Sequence, residues 1–371
     1  MSTKPNKRGL VNFVEHPMMG VSIHNWLKVL ALNNFRIHVL KIPKVLFITG
    51  TAILNMPIQL YEYLRFSRKI KRQQVVAPVF IVGHPRSGTT YLHYLMSKDP
   101  KFGFCTVFQG ILPHIFMSGG KFFRNLIKRA MPSTRPQDNV KITIDAPKEE
   151  EFAMANMSTT SYMFTFYFPN YALKHFKRSV VFTSGERSKL HWKRNFEYFI
   201  RKLALNNPNK RILLKSPPNT GRIKEILEIF PDAKFIHIHR DPLDVYQSTV
   251  RLYEKVGGVT SFQKADPEEL KRYIIEAYQL MYMKYLEDIK NLTKDQLVEV
   301  SYASLEKNPM ETLKGIYTAL RLSDFNEAQA FIQQEIDDTE DYEKNSYLTI
   351  SEEEKSIINE KWGEIAQKWG Y

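Results

Sequence analysis

One loop constrains the fold of this chain more than any other feature: the segment Gly83-His-Pro-Arg-Ser-Gly-Thr-Thr90. It directly follows the apolar run Ala77-Pro-Val-Phe-Ile-Val82, so a buried strand is predicted to end where the loop begins. Two glycines five positions apart, followed by two threonines, are typical of a loop that wraps a phosphate in backbone N–H groups at a helix N-terminus. The sequence therefore predicts a strand, an anion-binding loop and a helix in succession.

At one position this loop differs from those that hold the triphosphate of ATP or GTP. Those loops carry a lysine after the second glycine, and this chain has Thr89 there. The nearest cation is Arg86, inside the loop. The leading interpretation is therefore a phosphate-containing donor other than a magnesium triphosphate, and a plain strand-to-helix turn is the alternative.

Two further segments place basic residues at predicted strand ends. Residues 234–248 read as a strand, a turn and a helix start, with Arg240 at the strand end and Ser248 eight positions later. Residues 211–219 read as a short buried strand that ends at Lys215 and continues into a proline-containing turn. Because open parallel sheets bind ligands at the carboxyl ends of their strands, we expect these residues to lie near the first loop.

In this order, the three segments resemble the motifs of the sulfotransferase family that uses 3′-phosphoadenosine 5′-phosphosulfate. They look closest to its bacterial and carbohydrate-type branch, because the loop reads Pro-Arg-Ser-Gly, and the resemblance runs from about residue 76 to the C-terminus. It implies catalytic roles for Lys215, at the leaving oxygen, and for Arg86. It also implies these donor contacts: Arg86, Ser87, Gly88, Thr89, Thr90, Arg240, Ser248 and Lys344. No metal is implied, and solvated side chains are the alternative reading for Lys215 and Lys344.

The general base is where the chain departs from the family pattern. The tyrosine-directed branch has a glutamate soon after the first helix, whereas residues 101–108 contain no acid. The replacement candidates are Glu149, Glu150 and Glu151, and Glu151 is preferred just ahead of Glu150. An acidic first turn on a helix that starts near Pro147 is the alternative.

Several histidines are rival bases: His84, His93 and His114. Two more, His237 and His239, alternate along a predicted strand and therefore point to one face of the sheet. For this pair we expect packed or hydrogen-bonded sheet histidines rather than catalysis or metal binding.

From residue 76 the chain alternates predicted strands with predicted helices, which indicates an α/β fold. We expect a P-loop-like central parallel sheet with helices on both faces, plus an N-terminal helical extension. The predicted strands are 77–83, 211–215, 234–239 and 296–301. The predicted helices are 88–98, 221–230, 242–255, 268–290, 309–320, 325–335 and 351–367. The division predicted is 1–75 and 76–371, with an insertion at about 101–175 for the acceptor.

The N-terminal region combines apolar and basic segments. Residues 22–40 read as an amphipathic helix, and residues 45–61 carry no charge but are flanked by cations. The run is shorter than the ~20 strongly apolar residues that a membrane span needs. Two interpretations stay open: a helix packed on the catalytic domain, or peripheral membrane contact through residues 22–72.

Composition narrows the partners and the compartment. A single cysteine excludes an intramolecular disulfide and favours a reducing compartment, so we expect a cytoplasmic protein, either soluble or at the inner face of a membrane. The 53 basic and 39 acidic residues give a net charge of +14. No nucleic-acid-binding module accompanies that charge, so nucleic acid is not an expected partner.

The expected activity is transfer of a sulfuryl group to a small-molecule alcohol. The aromatic run at 162–171 favours an apolar acceptor such as a sterol or a lipid. A carbohydrate or phenol acceptor is an alternative within the same activity. A P-loop kinase and a catalytically silent nucleotide-binding protein are alternatives outside it.

Overall fold

The computed structural model describes residues 16–130, 143–322, 324–338 and 350–371. At its centre is a five-stranded sheet in which all neighbouring strands are parallel. The strands are β1 (Val79–Val82), β2 (Phe102–Phe104), β3 (Arg211–Lys215), β4 (Lys234–His239) and β5 (Leu297–Ser301), in the spatial order β2-β3-β1-β4-β5. Because β1 lies between β3 and β4, the loop after β1 emerges beside the ends of those two strands.

Helices precede the sheet, connect its strands and follow it. The first eight are α1 (Ile23–Leu32), α2 (Ile42–Arg72), α3 (Thr89–Met96), α4 (Val107–Ile111), α5 (Gly120–Ala130), α6 (Glu151–Met157), α7 (Phe164–Tyr167) and α8 (Ala172–Ser179). The next eight are α9 (Glu186–Asn206), α10 (Ile223–Leu227), α11 (Pro242–Thr260), α12 (Pro267–Asp288), α13 (Tyr302–Lys307), α14 (Pro309–Ala319), α15 (Phe325–Asp338) and α16 (Glu352–Gln367).

Both faces of the sheet are covered, as the apolar sequence of its inner strands requires. Phe80 and Val82 of β1 face a larger hydrophobic cluster that also contains side chains of α9 and α12. Val79 and Ile81 face a smaller cluster built with α3, α14 and α15. This alternation follows from the two-residue period of a strand. The predicted α/β class, with helices on both sides of a parallel sheet, is confirmed.

The sequence-based elements and the observed ones differ in several places. The helices α4, α5, α7, α8, α9 and α13 were not predicted. The short edge strand β2 was not predicted, because three residues carry too little periodic signal. The amphipathic helix predicted at 22–40 ends at Leu32, where Asn34 and Phe35 both adopt a positive φ of 52°. The charge-free run at 45–61 lies within α2, which continues through Pro57 to Arg72.

The N-terminal helices pack directly on the rest of the protein. Trp26 of α1 and Ile48 of α2 are fully buried in the larger cluster. The amide of Asn25 donates to the carbonyl oxygens of Ala155, Asn156 and Ser158 at 3.2 Å each, so it satisfies the C-terminal end of α6. Residues 39–72 are long and apolar enough to cross a membrane by length and composition.

Candidate active site

The loop after β1 packs too closely for side chains at its two glycines. Gly83 has φ +142°, and a Cβ there would lie 2.3 Å from the carbonyl oxygen of Ile238. Gly88 has φ +96°, and its Cβ would lie 2.3 Å from the Tyr302 ring. Both positions therefore require glycine for space as well as for backbone conformation. The consequence is a loop held firmly against β4 and α13.

The start of α3, which directly follows the loop, carries backbone N–H groups without an intrahelical partner. Gly88 is the N-cap of α3, and no described side chain caps the orphan N–H groups of that helix. The N–H of Gly83 donates to the hydroxyl of Thr220 at 2.7 Å, and that of His84 donates to Tyr282 at 3.3 Å. With the positive end of the helix dipole behind it, this arrangement suits an anion.

Arg86 projects from the loop towards α11. Its φ of +75° is unusual for a residue with a side chain, and such a backbone costs about 1–3 kcal/mol. The Nε of Arg86 donates to the hydroxyl of Ser248 at 2.8 Å. Two residues predicted to hold different phosphates of one donor therefore lie in direct contact.

Arg240 lies at the carboxyl end of β4, as predicted. Its guanidinium lies 3.1 Å from a carboxylate oxygen of Asp244 and stacks 4.6 Å from the centre of the Tyr302 ring. The same ring packs against Gly88. Tyr302 thus links the arginine to the loop at residues 83–90, which we call the anion loop. No local sequence signal indicated this role.

Lys215 ends β3 and is 3% exposed. Its Nζ donates to Thr90 Oγ1 at 3.2 Å and to Glu149 Oε1 at 2.5 Å. The side chain of Glu149 is 25% exposed. The alternative of a solvated lysine does not describe Lys215, because this buried cation bridges the anion loop and an acid.

The next two acids of the run have different surroundings. Glu150 is fully buried, accepts a hydrogen bond of 2.6 Å from the amide of Asn219, and its pKa is raised to about 7 by burial. Glu151 is also fully buried, and Arg222 donates to it at 2.6 Å. A hydroxyl and a backbone N–H also donate to Glu151, from Ser161 at 2.8 Å and Tyr162 at 2.6 Å.

Of the three acids, Glu149 is therefore the one that contacts Lys215, which in turn binds Thr90. Glu151, the preferred candidate from sequence, lies instead in a buried ion pair beneath them. The reason is local: Glu151 begins α6, and its first turn points at α8 and the turn after β3. The acidic N-terminal turn considered as the alternative is indeed present.

Two of the three rival histidines, His84 and His93, are buried, and His114 is partly exposed. Loss of hydration lowers the pKa of His84 and of His114 to about 4. Burial, with the charge of Lys215, lowers the pKa of His93 well below its usual value. Each ring is therefore neutral at pH 7. His84 contacts its neighbouring Pro85 carbonyl at 2.9 Å, whereas neither nitrogen of His93 has a hydrogen-bond partner among the described residues.

His237 and His239 belong to an aromatic cluster at the end of β4. Both rings stack on Trp369, at centroid distances of 5.0 and 5.1 Å. His239 also lies 3.0 Å from the hydroxyl of Tyr371. These contacts agree with the packed sheet histidines expected from the alternation.

A small cavity lies between the loop after β1, the insertion and the helices α11 and α12. Its walls are mostly aromatic and aliphatic, and include Pro85, Tyr162, Phe176, Pro218, Tyr253 and Met281. The hydroxyl groups of Tyr162, Tyr253 and Tyr273 form a hydrogen-bonded chain with distances of 3.2 and 2.9 Å. The cavity therefore presents aromatic and aliphatic side chains together with a group of tyrosine hydroxyls.

Only part of the predicted aromatic run reaches this cavity. Tyr162 lines it, whereas Phe164, Tyr167 and Phe168 are fully buried in the core. Ser87, Gly88 and Thr89 lie in the loop as predicted, and Lys344 is outside the described residues. Within the described ranges, no group of three His, Cys, Asp or Glu side chains is placed to hold a metal ion.

Sequence reasoning missed the segment that follows Lys215. Asn219, Thr220 and Arg222 each bind a group at the site: Glu150, the first loop glycine and Glu151. The available signal was the run Ser216-Pro-Pro-Asn-Thr-Gly-Arg222, which is unusually polar for a turn that follows a buried strand. Three polar residues of this run are fully buried: Ser216, Asn219 and Thr220.

Comparison with known proteins identifies relatives of this chain. The family described as "Sulfotransferase family" matches residues 78–327. The omega-hydroxy-beta-dihydromenaquinone-9 sulfotransferases Stf3 of Mycobacterium tuberculosis and Mycobacterium bovis are both 30% identical over 356 residues, covering 95% of this chain and 90% of theirs.

Two solved structures share the fold. Sulfotransferase STF9 from Mycobacterium avium has a TM-score of 0.73 at 16% identity, over 100% of this chain and 98% of that one. Sulfotransferase STF1 from Mycobacterium tuberculosis H37Rv has a TM-score of 0.65 at 15% identity, over 91% of each chain. At such identities the likeness concerns the fold alone.

Proposed function

The chain belongs to the sulfotransferase family, and we propose that it moves a sulfuryl group from 3′-phosphoadenosine 5′-phosphosulfate to the hydroxyl of an apolar, lipid-like alcohol. The observation that carries the proposal is Lys215, a buried cation between the anion loop and the Glu149 carboxylate. A site with this geometry can bind an anionic donor on one side and receive a proton on the other.

The cradle after β1 fits the phosphosulfate end of such a donor. The glycines let the loop pack closely on β4 and α13, the uncapped N-terminus of α3 supplies N–H groups, and Arg86 supplies a cation. Arg240 and Ser248 would hold the 3′-phosphate, since Arg240 stacks on the Tyr302 ring that packs against Gly88 and Ser248 accepts from Arg86. We propose that donor binding needs no divalent cation.

The chemistry is a transfer between two oxygens. The acceptor hydroxyl forms the new S–O bond, the bond between sulfur and the donor's phosphate oxygen breaks, and the hydroxyl proton goes to a carboxylate. We propose Glu149 as that general base, because it is partly exposed and adjoins Lys215. Glu150 is the second candidate, and the ion pair with Arg222 makes Glu151 a positioning residue.

Lys215 would act on the leaving group. Negative charge grows on the bridging oxygen as the S–O bond breaks, and a lysine ammonium aimed at that oxygen stabilises the transition state more than the ground state. Thr90 holds the ammonium in place through its hydroxyl. When the donor's charge arrives, the contact between Lys215 and Glu149 weakens, which leaves the carboxylate available for the hydroxyl proton.

Two observations support an apolar acceptor. The cavity beside Pro85 has aromatic and aliphatic walls, a lining that suits a lipid-like alcohol better than a sugar. The curated relatives are named for a hydroxylated dihydromenaquinone, which is a lipid alcohol. We further propose a cytoplasmic enzyme in peripheral contact with a membrane, because such an acceptor would reside there.

The decisive experiment supplies radiolabelled donor at limiting concentration to a mixture of a prenyl-chain alcohol, a sterol, a phenol and an oligosaccharide. We expect label mainly on the prenyl alcohol or the sterol, without added magnesium, and none with Lys215→Ala. Label mainly on the oligosaccharide would contradict the apolar acceptor only. No sulfate transfer, together with phosphoryl transfer from magnesium ATP, would contradict the proposed activity itself.

A further inference from the structure

Helix α2 turns its apolar side to solvent. Leu46, Ile53 and Leu60 recur at intervals of seven residues, so they share one side of the helix. They are 65%, 52% and 57% exposed, and Leu54 and Leu64 on the same side are 78% and 69% exposed. We name these five residues the apolar face of α2. Contiguous exposure of this kind marks an interaction surface.

The opposite side of α2 is the polar one, and it is packed against the protein. Lys44 donates to the Val259 carbonyl, and Asn55 donates to the Met19 carbonyl at 3.1 Å. Glu62 forms a buried ion pair with Lys202. This is the reverse of a helix on the surface of a soluble protein, whose apolar stripe faces the core.

That packing also decides against a transmembrane arrangement of this helix in the folded protein. A membrane-spanning helix must be surrounded on its whole circumference by lipid hydrocarbon chains or by other spanning helices. Here one side of α2 is fixed to the protein by a buried charge pair and by Ile48, which lies in the larger hydrophobic cluster. Only the apolar face remains available, over a length of about 27 Å between Leu46 and Leu64.

Cations follow the apolar face directly. Five exposed basic residues occupy the last two turns of the helix: Arg65, Arg68, Lys69, Lys71 and Arg72. Three exposed apolar residues precede it in the connecting segment: Phe35, Val39 and Leu40, at 62%, 68% and 77%. An apolar stripe with a basic end complements the acyl chains and anionic headgroups of a bilayer surface.

We propose that the apolar face of α2 docks on an anionic membrane, with the helix axis parallel to the bilayer plane. The leucine side chains enter the boundary between headgroups and acyl chains, and the basic last turns contact acidic headgroups. The proposal rests on the proposed function for its purpose, since a lipid acceptor would be collected from that membrane. Its physical basis is independent of the reaction.

Hydrogen bonds through α1 connect α2, which carries the apolar face, to the acidic residues at the start of α6. Trp26 of α1 donates to Thr49 of α2 at 2.9 Å, and Asn25 of the same helix binds three carbonyls at the end of α6. Helix α6 begins at Glu151, two residues after Glu149. A membrane held by α2 is therefore in fixed relation to the site, through one intermediate helix.

The test is flotation of the full chain with vesicles of phosphatidylcholine alone and with phosphatidylglycerol added. We expect binding to the anionic vesicles, weakened by salt, and a loss of at least about tenfold for the double variant Leu54→Asp/Leu64→Asp. The control is Met283→Asp/Phe331→Asp, which removes two other exposed apolar residues, 59% and 51% exposed, that lie outside α2. It should bind as the wild type does. Neutralising Arg68 and Lys69 should cost roughly fivefold for each charge, on anionic vesicles only.

Other occupants of the face give different results. If light scattering shows a wild-type dimer that the double variant abolishes, and no vesicle binding, a second copy covers the face and the proposal is overturned. If vesicles bind only a variant that lacks residues 1–15, the chain itself covers the face, which also overturns it. Vesicle binding without any sulfate transfer would uphold the docking surface while the proposed function fails, and circular dichroism confirms that each variant is folded.

Discussion

The Nζ of Lys215 lies 2.5 Å from Oε1 of Glu149, so the lysine at the end of β3 is paired with an acid 66 residues earlier in the chain. The pair joins the anion loop, through Thr90, to the acidic run ahead of α6. Beside a loop that is predicted to bind an anion, the lysine can stabilise negative charge on a leaving group and the carboxylate can accept a proton.

The first prediction concerns Lys215→Ala. We expect kcat to fall by about 10²- to 10³-fold, because a lysine ammonium that hydrogen-bonds to the leaving oxygen contributes mainly in the transition state. The dissociation constant of 3′-phosphoadenosine 5′-phosphate, measured by calorimetry, should change much less. A large loss of affinity with unchanged kcat would instead make Lys215 a ground-state contact.

The second prediction separates two neighbouring acids. Glu149→Gln should lower kcat by about 10²- to 10⁴-fold, the usual contribution of a general base, and leave the fold intact. Glu151→Ala should instead destabilise the protein by about 3–5 kcal/mol, because Arg222 would be left buried without its partner. Urea unfolding and steady-state kinetics on both variants distinguish the roles. Full activity in Glu149→Gln would move the base to Glu150 or a histidine.

The third prediction is a pH dependence from Glu150. Burial raises its pKa from 4.5 to about 7, so the folded protein holds this proton more tightly than the unfolded chain does. The free energy of unfolding therefore falls as the pH rises from 4.5 to 7. Above pH 7 the ionised Glu150 carboxylate lowers it by about 3 kcal/mol.

Glu150→Gln removes that titration and keeps an oxygen that can accept from Asn219. We expect the variant to equal the wild type near pH 4.5 and to exceed it increasingly towards pH 8. Urea unfolding at a series of pH values measures the difference curve, in which the other titrating groups cancel. Parallel curves for the two proteins would show that Glu150 ionises normally.

The fourth prediction concerns donor binding by Arg240. Arg240→Ala removes a charge-assisted contact worth about 1.5–3 kcal/mol, so the dissociation constant of 3′-phosphoadenosine 5′-phosphate should rise by about 10- to 150-fold. Lys255→Ala is the control, since it removes an exposed cation from α11, the helix that follows Arg240. Equal affinities for the wild type and Arg240→Ala in calorimetry would assign the 3′-phosphate to another cation.

The fifth prediction tests the cradle itself. Gly88→Ala places a Cβ 2.3 Å from the Tyr302 ring at φ +96°, so the loop must shift and both thermal stability and donor affinity should fall. Gly315→Ala is the matched control, because it lies inside α14 with nothing within 4 Å of the added Cβ. That change should stabilise the protein by about 0.5–1 kcal/mol. A Gly88→Ala protein as stable as the wild type would mean that the loop yields easily.

Local patterns predicted much of the framework. The strands that end at Lys215 and His239 and the helix that begins at Thr89 are found within a few residues of their predicted positions. Each is set by residues adjacent in the chain, namely a run of apolar side chains followed by Gly or Pro. The choice among the three acids was not predictable in this way, because an acidic run at a helix start looks the same whichever member faces the site.

The sequence by itself determined the α/β class, the family and the position of the glycine-rich loop between β1 and α3, because these depend on the order and spacing of neighbouring residues. Only the tertiary structure decided which side chains meet: Glu149 with Lys215, Glu151 with Arg222, and Gly88 with Tyr302. It also decided that the apolar side of α2 faces outward, since a helical period gives the two sides of a helix but not which one the core covers.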